Sequence, residues 1–189
     1  MISVASYSSA VAPKLPAELE RAMGAAATTA AIELFAAYRV AMAQVTPLTD
    51  SGAHAPISDL SALGIVRFTA AGLNGTAVLG ASNRTLRRSN LRGTSDRDWV
   101  AELANQFVGR FKLKLLRAGV ELWSMAPLAV SARLLVTAVS QPESPPFSFR
   151  DAQGGSVAVW IELDLNGPLK MTTPASEGEL PREGDVILF

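Results

Sequence analysis

The sequence predicts an α+β domain in which two long helices pack on one face of a mostly antiparallel β-sheet. Two long stretches carry helix start signals and apolar periodicity, and several short β-prone runs are separated by turn residues. The third observation is one run that alternates cleanly. In residues 157–165, Val157, Val159, Ile161, Leu163 and Leu165 fall on one side, while Trp160, Glu162, Asp164 and Asn166 fall on the other. That is the pattern of an antiparallel strand with one buried face.

At 189 residues the chain has room for one compact domain with a sizeable core. A hydrophobic fraction of 49% with 18% charged residues predicts that it folds. Seventeen basic residues balance seventeen acidic ones, so no long-range field draws the molecule to nucleic acid or an anionic membrane, and any partner is recognised locally. The absence of cysteine excludes disulfides, thiolate metal sites and cysteine nucleophiles. His54 is the single histidine, so one chain cannot build a site that needs two imidazoles, and His54 reads as a surface residue. No export signal or membrane span is evident, and a cytoplasmic location is expected.

Residues 1–14 are predicted to be a flexible arm, 15–166 the folded domain and 167–189 a polar, proline-rich tail that ends in a terminal strand over 186–189. The first helix is announced by Pro13 and Pro16, with Glu18 and Glu20 at the positive end of its dipole, and is expected to stop before Pro47. Asn74-Gly75, between the runs 64–69 and 76–80, predicts a hairpin turn. Residues 83–97 carry Arg84, Arg87, Arg88, Arg92 and Arg97 without an aromatic residue. They read as a solvated loop, with a docking patch for an acidic partner as the alternative. The second long helix is capped by Ser95 with Asp98 reaching back, and it stops at Gly119. Strands are expected over 120–125, 130–139 and 157–165, the last paired with 145–150 through the turn 151–155.

On the second long helix Trp99, Leu103, Ala104, Phe107, Val108 and Phe111 form a wide apolar stripe that must face the sheet. Glu102, Asn105 and Gly109 lie on the opposite side, within about 60° of one another. A carboxylate, a carboxamide and a glycine without side-chain bulk make a face suited to recognition. A Glu-x-x-Asn pair is by itself common on solvated helix surfaces.

The longer string carries more. Asp98-Trp99-Val100-Ala101-Glu102-Leu103-Ala104-Asn105-Gln106-Phe107-Val108-Gly109-Arg110-Phe111-Lys112-Leu113-Lys114-Leu115-Leu116, followed by Gly119 and Ser124-Met125-Ala126-Pro127, resembles the CheC, CheX and FliY chemotaxis phosphatases. The likeness covers about residues 60–140 and is greatest to the CheX-type branch. In the first helix, Glu33-Leu34-Phe35-Ala36 has alanine where a second catalytic asparagine would stand, which implies one site per chain.

The resemblance implies a CheX-like fold and a phosphatase that hydrolyses the aspartyl phosphate of a CheY-like response regulator. Asn105 would orient the attacking water and Glu102 would pair with the regulator's lysine, with Gly109, Gln106 and Lys112 in the partner-binding face. It implies no cofactor of the chain's own, because the Mg²⁺ would be supplied by the phosphorylated regulator. A homodimer is also compatible with it. Two other classes stand beside it: a non-catalytic regulator-binding or dimerisation adaptor of the same fold, and a structural domain of a larger assembly.

Overall fold

A computed structural model describes residues 15–45, 59–131 and 147–171. Its elements are α1 (Ala17–Ala37), β1 (Met42–Val45), β2 (Ala62–Ala70), β3 (Leu73–Ala81), α2 (Asn83–Ser89), α3 (Asp96–Arg117), β4 (Trp123–Ser124), β5 (Leu128–Ser131), β6 (Phe147–Asp151) and β7 (Ser156–Leu165). The strands form one sheet in the order β1-β6-β7-β3-β2-β4, with β5 also on β2, and every described pairing is antiparallel.

The two long helices are α1, of 21 residues, and α3, of 22. The main core lies between them and one sheet face. α1 contributes Ala26, Ala27, Ala30, Ala31, Leu34 and Phe35, while α3 contributes Leu103, Phe107, Val108 and Phe111. Phe68 of β2 meets Phe111 edge-on at 6.1 Å, which fixes the helix against this strand. The alternating side predicted for residues 157–165 is this inner face, where Val157 and Val159 are fully buried.

The fold refines the expectation in several places. First, the described residues hold three helices. α2 occupies part of the stretch read as an arginine-rich loop. Its N-cap Ser82 Oγ accepts the Thr85 N–H, and Thr85, Leu86 and Ser89 are buried while the arginines stay outside. Second, the β2–β3 turn is Ala71-Gly72, with Ala70 opposite Leu73, so Asn74-Gly75 lies inside β3. Gly72 has φ +88°, and a Cβ there would meet the Pro168 carbonyl oxygen at 2.4 Å. Gly75 is instead covered by the Phe68 ring, which a Cβ would approach to 2.3 Å.

Third, α1 stops before Pro47 as expected, and its end is Ala37. Arg39 takes φ +59°, Val40 N–H returns to the Phe35 carbonyl at 2.9 Å, and the chain enters β1. Fourth, the outer face of the sheet is not purely polar. Leu60, Leu63, Ala158 and Trp160 form a second, smaller buried cluster on it.

The strand expected over 120–125 shortens to Trp123–Ser124, and that expected over 130–139 begins at Leu128. The arm, His54, residues 132–139 and the terminal strand over 186–189 lie outside the described residues. Residues 166–170, by contrast, are tied to the β2–β3 turn, where Asn166 N–H donates to Gly72 O and Lys170 N–H to Ala71 O.

Candidate functional site on the outer face of helix α3

α3 begins where the sequence placed it. Ser95 Oγ accepts the Asp98 N–H at 3.1 Å and donates to Asp98 Oδ2 at 2.7 Å, and the helix is followed by Gly119 at φ +77°. The depth of its seat on the sheet is set by Gly64, where a Cβ would stand 2.4 Å from the Val100 carbonyl oxygen. The start of α3 is anchored by α2, because the Trp99 indole N–H donates to Ser89 Oγ at 2.9 Å.

With Trp99, Leu103, Ala104, Phe107, Val108 and Phe111 buried, Glu102, Asn105 and Gly109 are turned outward, and all three are exposed. Residues three apart on a helix are surface neighbours, so the carboxylate and the carboxamide stand side by side. No described residue hydrogen-bonds to the Asn105 carboxamide. Around Gly109 nothing lies within 4 Å of where a Cβ would be, so the backbone is open to an approaching surface.

Gln106 and Lys112 are half-buried on the flank of this face. The Gln106 amide N–H donates to Glu102 Oε1 at 2.6 Å, and its Oε1 accepts the Tyr38 hydroxyl at 2.8 Å. Nothing local reveals this bond, because Tyr38 and Gln106 are 68 residues apart.

On α1, Glu33 is exposed, and so is Ala36, the alanine read as standing where a second asparagine would be. Glu33 is engaged by Lys114 of α3, with Nζ 2.8 Å from Oε2 and 2.9 Å from Oε1. The arginine-rich stretch is partly structural: Arg84 donates to the Gln153 carbonyl, and Arg88 pairs with the buried Asp151. Arg87, Arg92 and Arg97 are exposed.

Among the described residues there is no group of three or more His, Cys, Asp or Glu that could hold a metal ion. None of the described helices is long and apolar enough to cross a membrane. The chemistry available to the α3 face is that of an acceptor with negative charge beside an amide that both donates and accepts.

No protein-family model and no curated protein matches the sequence. Solved structures do match its fold, which is that of the CheX and CheC-like chemotaxis proteins. CheX from Vibrio vulnificus superposes with a TM-score of 0.55 at 13% identity, covering 74% of this chain and 96% of that one. CheX in the CheX-CheY-BeF₃-Mg²⁺ complex from Borrelia burgdorferi gives 0.54 at 14% identity, covering 77% and 97%. The chemotaxis protein CheX from Desulfovibrio desulfuricans gives 0.53 at 14% identity, covering 74% and 99%.

Proposed function

We propose that this chain is a CheX-type member of the CheC/CheX family, a cytoplasmic phosphatase that hydrolyses the aspartyl phosphate of a CheY-like response regulator. The observation that carries the proposal is the outward placement of Glu102 and Asn105, one turn apart on α3 of a CheX fold. The Borrelia CheX structure, a complex with CheY, beryllofluoride and Mg²⁺, supports a partner of that kind.

In this reading α3 lies across the regulator's phosphorylated site. The Asn105 carboxamide accepts from and donates to a water and holds it in line with the phosphoryl group, so positioning is the main catalytic contribution. Glu102 pairs with a lysine of the regulator and fixes the register that brings Asn105 to the right depth. Gly109 allows close backbone approach, and Gln106 and Lys112 flank the contact. The magnesium ion that balances phosphoryl charge belongs to the regulator, and this chain contributes no metal ligand.

Phosphate release from a phosphorylated receiver domain, measured with and without the protein, tests the proposal. Faster release supports it. Binding without faster release would make the chain a non-catalytic adaptor instead.

A further inference from the structure

We infer that Tyr38 and Gln106 form a positioning relay that presets Glu102 for docking, an inference that rests on the docking role given to Glu102 above. Tyr38 stands at the C-cap of α1, outside the helix that carries the site. Its hydroxyl is 2.8 Å from Gln106 Oε1, and Gln106 Nε2 is 2.6 Å from Glu102 Oε1. The polarity of the chain is forced. A carboxylate only accepts, so the amide nitrogen must face Glu102, the amide oxygen must face Tyr38, and the phenol must donate.

The far end of the relay is itself fixed. The Tyr38 ring meets Trp99 edge-on at 5.0 Å and 83°, and Trp99 is buried with its indole N–H on Ser89 Oγ. An exposed glutamate ordinarily samples several rotamers and loses that freedom when a partner binds. Here one carboxylate oxygen is already held, which leaves the other, on an exposed residue, for a cation. Tyr38 acts only through Gln106, and Gln106 acts in this relay through Glu102 whatever it adds at the flank of the contact, so both are positioning residues here, and they make the docking face answer to the end of α1.

The test is a double-mutant cycle on the dissociation constant for a beryllofluoride-loaded receiver domain, with Tyr38→Phe and Glu102→Ala. Tyr38→Phe removes one hydroxyl and keeps the ring on Trp99. It is expected to weaken binding by about 3- to 10-fold in the wild-type background. In the Glu102→Ala background the same change should have no effect. An equal loss in both backgrounds, or no loss in either, overturns the relay.

The relay is also read without a partner, from the Gln106 side-chain amide proton signals. Both Tyr38→Phe and Glu102→Ala should shift them, and unmoved signals overturn the relay whatever the activity. A wild-type chain that binds the beryllofluoride-loaded receiver but does not speed phosphate loss from a phosphorylated one sinks the phosphatase proposal and leaves this cycle fully readable. A chain that does not bind it at all overturns both.

Discussion

Gly64 of β2 passes so closely beneath Val100 of α3 that a Cβ at Gly64 would stand 2.4 Å from the Val100 carbonyl oxygen and 2.6 Å from Ala104 Cβ. Neither obstacle is a flexible side-chain end, so the helix itself would have to lift. Gly64→Ala is expected to cost about 1–3 kcal/mol, the usual range for overpacking a filled interior. Urea denaturation checks this, and a wild-type midpoint would contradict the close approach.

Asp151 closes the β6–β7 turn. Its Oδ1 accepts the Gln153 and Gly155 N–H groups at 2.7 and 2.9 Å, its Oδ2 pairs with Arg88, and its side chain is 2% exposed. Asp151→Ala orphans two backbone donors and should cost about 1–3 kcal/mol. Asp151→Asn keeps an acceptor for those donors and loses the charge partner, so it should cost less. Chemical denaturation of the two variants gives the order, and equal stability would argue against the turn's dependence on Oδ1.

These two sites also mark where the sequence was and was not readable. α3 was legible because its cap, its stripe and its stop all lie within the segment: Ser95, the run Trp99 to Phe111, and Gly119. The turn with Asp151 and Gly154 was legible for the same local reason. What failed was decided by contacts from far along the chain. Asn74-Gly75 has good turn chemistry, yet the turn formed at Gly72 because Pro168 packs against it and Phe68 covers Gly75. α2 was hidden because its buried side is mostly small and polar, Thr85 and Ser89 beside Leu86, and because Arg88 answers to a carboxylate 63 residues away. The outward turn of Glu102 and Asn105 was readable from helical periodicity, whereas the Tyr38–Gln106 bond was not.

Gly109 separates stability from recognition. Its Cβ position is empty to 4 Å and lies in mid-helix, so Gly109→Ala should stabilise the fold by about 0.5–1 kcal/mol. Gly109→Trp should leave the melting temperature within a few degrees of wild type and weaken receiver binding at least 10-fold, because it places bulk where the partner's surface is to lie. Calorimetry together with a binding titration reads both effects. Full binding by the tryptophan variant would remove Gly109 from the contact face.

The positioning role proposed for the Asn105 carboxamide sits on a face that contributes little to the fold. An exposed residue away from caps and core usually changes stability by no more than about 0.5 kcal/mol, so Asn105→Ala should unfold as the wild type does. The decisive measurement is the rate of phosphate loss from a phosphorylated receiver domain with wild type and with Asn105→Ala at equal folded concentration. The wild type should accelerate the loss, and the variant should return it to the receiver's own rate. Acceleration of equal size by both proteins would contradict it.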